Sequence, residues 1–255
     1  MTKKRRLDEI LVEQGYFPDA DAVLRAVIAR EVRVDDVYVT SAAIKVLPDA
    51  DIFIKTKDRR NPSDAKGRSF VSRGGHKLQG ALGAFAVDIT GKRCIDIGSS
   101  TGGFTDCLLQ AGASEVACVD VNYGQLAWKI RQDARVSVFE RTNIRLASPE
   151  SLGAPFDVIV CDLSFIGMAS LVSVFAALAH KGTAFLGLIK PQFESKPGET
   201  DGGIVVDVAV RERVVAEVES ALEAVGFSVE GVIESPIKGA EGNIEYLVYA
   251  IYALG

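Results

Sequence analysis

CIDIGSSTGGFTD, residues 94–106, decides how the rest of the chain is read. Cys94, Ile95 and Ile97 make a short apolar run of the kind a buried strand needs. Gly98, Gly102 and Gly103 punctuate a polar bend, and TDCLLQAG then continues with helical spacing. A strand, a glycine-rich bend and a helix open a ligand-binding α/β sheet, whose ligands sit beyond the carboxyl ends of its strands. The bend reads G-x-x-x-G-G. It has neither the G-x-G-x-x-G of a dinucleotide fingerprint nor the Gly-Lys-Ser/Thr of a P-loop.

Working outward, RCIDIG, EVACVDV, FDVIVCDL, TAFLGLI and FSVEGVIES are short apolar runs. Helix-like stretches lie between them: TDCLLQAG, GQLAWKIRQ, MASLVSVFAALAH and VAVRERVVAEVESALEAVG. Strands alternating with helices predict a mostly parallel, Rossmann-like sheet covered on both faces. FSVEGVIES and IEYLVYAIYAL leave no room for a helix between them, so they are expected to pair as an antiparallel hairpin at one edge. The α/β domain is placed at 70–255.

Residues 1–58 read as a separate, small α+β domain. RLDEILVEQG has Leu7, Ile10 and Leu11 at helical spacing. DADAVLRAVIAR follows, with Asp19 or Asp21 as N-cap and Ala22, Val23, Ala26 and Val27 facing inward. VRVDDVYV alternates around an Asp-Asp turn, as a tight hairpin does, and DIFIK alternates again. DRRNPSDAKGRS is polar with Pro and Gly, which puts the linker at 59–69.

Of 255 residues, 48% are hydrophobic and 25% charged, as in an ordinary folded domain. No window is apolar for long enough to cross a bilayer. MTKKRRLDEI starts basic without an apolar stretch behind it, unlike a secretory signal. Cys94, Cys107, Cys118 and Cys161 form no CxxC pair, and the chain holds two histidines. Reduced core thiols in the cytoplasm are expected, and no metal site. The net charge is −5, unevenly spread: +4 over 1–77 and −9 over 78–255. Lys55, Lys57, Arg59, Arg60, Lys66, Arg68, Arg73 and Lys77 face only Asp58 and Asp64 within 55–77. Such a basic collar is either a polyanion footprint or a solvated linker.

Asp120 in VACVDVN stands at the end of the second strand, placed to accept both hydroxyls of a ribose. A glycine bend without phosphate ligands, followed by that acid, fits S-adenosylmethionine. The expected cofactor contacts on the bend are Asp96, Gly98, Ser99, Ser100, Gly102, Gly103, Phe104 and Thr105. Asp120, Asn143 and Asp162 complete them. Asn143, in ERTNIR, is read equally well as an adenine contact or as a turn asparagine.

Four charges from remote segments complete the pattern. Asp162 ends FDVIVCD, Lys190 ends FLGLIK, Lys77 lies in SRGGHKL and Glu245 opens the last strand. Two lysines and two acids can form one charge-balanced cluster, or four separate structural charges. As a cluster they suit attack by a hydroxyl on a methyl-sulfonium. A lysine serves there as base or steers the alkoxide, and the acids hold the lysines. Lys190 is expected nearest the reacting hydroxyl. Amine methylation usually uses an Asn/Asp-Pro-Pro-aromatic loop after strand four, whereas this chain has DLSF. Pyrimidine carbon-five chemistry needs a cysteine beside proline, and Cys161 has no such neighbour.

On these residues the C-terminal part resembles the FtsJ-like ribose 2′-O-methyltransferases, whose Lys-Asp-Lys-Glu tetrad matches Lys77, Asp162, Lys190 and Glu245 in order. The N-terminal part resembles the S-four-type RNA-binding module. Together with SRGGHKL, DIGSSTGGFTD, VDVNYGQL, ERTNIR, CDLSF and LIKPQFE, the arrangement resembles the TlyA, or hemolysin A, family over almost the whole chain. The resemblance implies a seven-stranded methyltransferase domain and cytidine 2′-O-methylation of bacterial ribosomal RNA, with ribosomal subunits as partners. In one place the chain departs from the module. The family usually has Ser-Arg at Asp19-Ala20, Gly at Arg30 and Asn-Gly at Asp35-Asp36. RNA contact is therefore expected from Arg5, Arg6, Arg25 and Arg30, and from the collar through Lys55, Lys57, Arg59, Arg60, Arg68 and Arg73. The family's second name suggests a membrane-lytic protein, against which stand the missing signal, spanning helix and barrel pattern. A non-catalytic ribosome-assembly factor is the remaining alternative. Nothing in the pattern sets an oligomeric state.

Overall fold

The computed structural model describes residues 4–13, 16–17, 19–34, 37–47, 52–54, 70–239 and 241–254. The chain divides into two compact units, Met1–Ser69 and Phe70–Gly255.

The first unit contains β1 (Arg5–Arg6), α1 (Leu7–Glu13), α2 (Ala20–Ile28), β2 (Val32–Val34), β3 (Val37–Tyr38), β4 (Lys45–Val46) and β5 (Ile52–Ile54). β1 pairs with β4, and β2 lies between β3 and β5, all antiparallel. Leu7, Ile10 and Leu11 of α1 meet Val23, Ala26 and Val27 of α2 in a small core closed by Val32 and Val34. Asp19 is the cap of α2: its carboxylate accepts the Ala22 N–H at 2.7 Å. An aspartate at that position therefore keeps the capping function of a serine. The turn at Asp35-Asp36, the linker, and Lys55, Lys57, Arg59, Arg60 and Arg68 lie outside the described residues.

The second unit runs α3 (Gly74–Ala84), β6 (Arg93–Ile97), α4 (Gly103–Gln110), β7 (Glu115–Val119), α5 (Trp128–Arg131), β8 (Val136–Phe139), α6 (Pro149–Leu152), β9 (Phe156–Cys161), α7 (Val172–Leu178), β10 (Ala179–Ile189), α8 (Pro191–Glu194), α9 (Val208–Ala224), β11 (Phe227–Glu234) and β12 (Tyr246–Tyr252). The strands form one seven-stranded sheet in the order β11-β12-β10-β9-β6-β7-β8. β6 to β10 are parallel, and β12 runs antiparallel between β10 and β11.

Both faces of the sheet are covered, which is why its central strands are apolar on successive residues. Ile95, Ile159 and Phe185 pack into one core, while Cys94, Val158 and Leu186 pack into the other. All four cysteines are buried in these cores.

Three elements differ from the sequence expectation. GQLAWKIRQ yields only the single turn α5. MASLVSVFAALAH opens with a 3-10 turn at Met168–Leu171 and ends its helix at Leu178. His180 to Thr183, where the helix-like stretch MASLVSVFAALAH gives way to the run TAFLGLI, are drawn into β10, whose pairing with β9 is irregular between Ala179 and Ala184. From Ala179 onward, pairing with β9 overrides the local helical pattern.

Candidate active site

β6 and β9 are neighbours, yet the chain leaves β6 towards β7 and returns to β9 on the other side. Their carboxyl ends therefore open at a topological switch point, where such sheets bind ligands. Gly98 follows β6 with φ +85°, and a Cβ there would stand 2.4 Å from the Asp162 carbonyl oxygen. Only glycine allows the two strand ends to approach so closely. Ser100 also has positive φ, at 46°, and its N–H donates to Asp120 Oδ2 at 2.8 Å. Asp120 Oδ1 accepts the Asn122 N–H at 2.7 Å, so this carboxylate orders the bends after both β6 and β7.

Asp96 is fully buried beneath the glycine bend. Its Oδ2 accepts the Thr105 N–H at 3.0 Å and the Thr105 hydroxyl at 2.6 Å. It thus caps α4, whose N-cap, Gly102, has no side chain to do so. Asp96 Oδ1 has no hydrogen-bond partner. Burial is the main cause that pushes the Asp96 carboxyl up to about 7, with the Asp162 and Asp120 charges adding and the Thr105 donors opposing.

Two adjoining cavities meet at Gly98, Ser100 and Asp162. The larger, about 480 Å³, is lined by Asp120, Asn143, Ile144 and Leu163 among others. The smaller, about 260 Å³, contains Asp96, Lys77, Lys190 and Glu245. An elongated cofactor with an uncharged nucleoside at one end and an amino-acid group at the other fits this pair. The orphaned Asp96 Oδ1 is an acceptor for an ammonium, and Asp120 stands beside the nucleoside end. Asn143 lines the larger cavity while its Oδ1 accepts the Arg145 N–H at 3.0 Å.

The four charges converge at the smaller cavity. Asp162 and Lys190 each stand one residue beyond their strands, β9 and β10, rather than on the last strand residue. Because β9 and β10 are parallel neighbours, both groups emerge on the same edge. β12 is antiparallel, so its start reaches that edge: Tyr246 pairs with Ile189, which puts Glu245 level with Lys190. Lys77 comes from α3. Lys190 Nζ lies 2.6 Å from Asp162 Oδ1 and donates to Ser164 Oγ at 3.2 Å. Asp162 Oδ1 has no donor aligned on it in hydrogen-bond geometry, so the contact is an ion pair only. Lys77 forms an ion pair and hydrogen bond with Glu245, both almost fully buried. Cys161, next to Asp162, is completely buried, and burial raises its thiol well above the ordinary range. It is a protonated core residue, without the thiolate a nucleophile requires.

Of the expected RNA contacts, Arg73 lines the smaller cavity. Arg25 and Arg30 are exposed in the first unit. Arg5 is paired with Glu13 and Arg6 with Asp8, each at 2.6 Å, so their charge is partly answered within the unit. Sequence reasoning missed Ser164 as a partner of Lys190, although it stands two residues after Asp162. It also missed Asp106, which accepts the Val71 N–H at 2.8 Å and tethers the entering chain to α4.

A seven-stranded sheet of this order, with a nucleoside-sized cleft at its switch point, places the second unit in the class of Rossmann-like methyltransferases. The chain belongs to the FtsJ-like methyltransferase family, whose family model matches residues 70–252. Its relatives extend the similarity through the first unit. It is 39% identical over 250 residues to the 16S/23S rRNA (cytidine-2′-O)-methyltransferase TlyA of Mycobacterium tuberculosis, covering 98% of this chain and 90% of that one. It is 38% identical to Hemolysin A of Brachyspira hyodysenteriae, over 96% of this chain and 99% of the relative. A solved structure from Streptococcus thermophilus, described as a hemolysin, superposes with a TM-score of 0.73 at 34% identity, covering 99% and 90% of the two chains. Among the described residues no helix is long and apolar enough to cross a membrane.

Proposed function

We propose that this protein transfers a methyl group from S-adenosylmethionine to the 2′-hydroxyl of a cytidine in bacterial ribosomal RNA, acting in the cytoplasm. The observation that carries the reading is the partly open pair Lys190–Asp162 in the cofactor cleft, with the buried pair Lys77–Glu245 beside it. The cofactor, when bound, supplies an electrophilic methyl group on a sulfonium. Asp96 would hold its amino group, and Asp120 its ribose.

Lys190 holds the 2′-oxygen and stabilises the negative charge that develops on it. Asp162 holds Lys190 in place through Oδ1, which is itself shut off from solvent, and the hydroxyl proton passes to water. The cofactor's methyl group would pass from sulfur to the 2′-oxygen, which would discharge the sulfonium. Lys77 and Glu245 keep the floor of the cavity charge-balanced and dry. Curated relatives named as cytidine-2′-O-methyltransferases support the nucleotide assignment.

RNA docking is assigned to an S-four-type module at 1–58, joined through a linker at 59–69 to the enzyme at 70–255. Its basic residues are Arg5, Arg6, Arg25 and Arg30, with the collar that ends at Arg73. Such contacts release counterions, so binding weakens steeply with salt.

The test is methyl transfer from labelled S-adenosylmethionine to ribosomal RNA of unmodified subunits, mapped for alkali-resistant linkages, with Lys190→Ala alongside. Transfer to the ribose that drops about a hundredfold or more in the variant is expected. Label on a base defeats the ribose assignment. Cofactor binding without transfer points to an assembly factor instead.

A further inference from the structure

Glu194 closes α8, the single turn that starts directly after Lys190. Its carboxylate does not point to solvent. Oε1 accepts the Met168 N–H, and the neighbouring Ala169 N–H also favours the charged carboxylate. Met168 and Ala169 begin the helical segment that follows the loop Asp162–Gly167. A carboxylate suits that position, since the first N–H groups of a helix lack intrahelical partners and carry partial positive charge.

The fit is tight from the other side as well. A Cβ on Gly167 would stand 2.5 Å from Glu194 Oε2 and 3.2 Å from the Phe193 carbonyl oxygen. Gly167 has an ordinary φ of −71°, so here glycine serves close approach rather than backbone freedom. Two further contacts join the same segments. Lys190 reaches Asp162 and Ser164, and the Phe165 and Phe193 rings stand 5.5 Å apart. The segment carrying Lys190 and the loop carrying Asp162 are thus joined at both ends, and Glu194 holds the end remote from the chemistry. Burial raises the Glu194 carboxyl above the usual range, against the two N–H groups that favour its charge.

We infer that Glu194 is a positioning residue, which sets the approach of Lys190 to Asp162 by fastening α8 to the loop after β9. The inference rests on the proposed methyl transfer. Glu194→Gln keeps the shape but removes the charge the two N–H groups answer. Gly167→Ala breaks the same contact from the opposite segment. A misplacement of about 1 Å at a reacting pair costs on the order of a hundredfold. Each variant is expected to lose tenfold or more in kcat, on the order allowed by such misplacement, with KM for S-adenosylmethionine essentially unchanged.

The experiment measures both variants for kcat and KM, in the wild-type and Lys190→Ala backgrounds. Hydrogen exchange at the Met168 and Ala169 amides is followed in the same proteins. The expected result is lost protection at those amides, retained protection in β6 and β7, a kcat loss in the wild-type background and no further loss beside Lys190→Ala. A merely structural role would repeat the same loss in both backgrounds, and that outcome overturns the proposal. Unchanged amide protection, or lost protection with unchanged kcat, also overturns it. If the wild type transfers no methyl group to RNA, the proposed function falls and the positioning role falls with it. The amide data would still show whether the clamp exists.

Discussion

Lys190 Nζ stands 2.6 Å from Asp162 Oδ1, and the two residues leave adjacent parallel strands at the same edge. The pair is partly open to solvent, with side-chain exposures of 12% and 22%. The Lys77–Glu245 pair beside it is closed, at 6% and 3%. One pair is accessible to a substrate hydroxyl, and the other is sealed behind it. This difference separates their expected roles.

Lys190 and Asp162 are expected to act as one unit. Lys190→Ala and Asp162→Ala should each lower methyl transfer by about a hundredfold or more, and the double variant should be little worse than the poorer single one. Single-turnover transfer to ribosomal RNA checks this. Losses that multiply would separate the two roles.

Lys77→Ala leaves Glu245 as an unpaired buried charge. It is expected to destabilise the second unit by about 3–5 kcal/mol. Lys77→Met combined with Glu245→Leu should recover most of that stability while remaining inactive. Urea unfolding reads the outcome, with Trp128, the chain's single tryptophan, reporting on the second unit.

Asp96 couples stability to pH. Its folded carboxyl titrates at about 7, above the roughly 3.9 of an unfolded aspartate. The folded state therefore binds the extra proton between those values, and stability falls as pH rises from about 4 to 7. Asp96→Asn removes the buried charge. The cofactor-free variant should melt higher than wild type at pH 8 and almost equally at pH 4. Its affinity for S-adenosylmethionine should fall by about tenfold or more, because the ammonium loses its charged acceptor. Calorimetric melting and titration at both pH values test the two halves separately.

Arg30 holds φ +53°, a left-handed conformation that favours glycine. Arg30→Gly should stabilise the first unit by up to about 1 kcal/mol. If Arg30 touches RNA phosphate, the same change should reduce the salt slope of RNA binding by about one. RNA titrations between low and moderate salt decide this. Stabilisation with an unchanged slope would remove Arg30 from the interface.

Much of the second unit was legible because its signals are local. The alternation of apolar runs and helical stretches, the glycine bend at 98–103 and the acid at Asp120 all follow from period and turn chemistry. All four of Lys77, Asp162, Lys190 and Glu245 were legible as residues at or near element ends. Their partners were not, because no local pattern says which lysine meets which acid. The length of α5 and the extension of β10 through His180 to Thr183 were hidden for the same reason. Both depend on what the neighbouring segment offers.

The sequence by itself determined the class of the sheet, the cofactor-side bend and the charge inventory of the site. Each depends on residues within a few positions of one another. Only the tertiary structure decided that β12 enters between β10 and β11 against the direction of the rest, which carries Glu245 to the edge where Lys190 emerges. That placement also buries Lys77 with Glu245 and leaves Lys190 and Asp162 within reach of solvent. Strand order and register are set by which long-range pairings bury both faces of the sheet at once. That choice is made over the whole unit and has no signature in any single window of the chain.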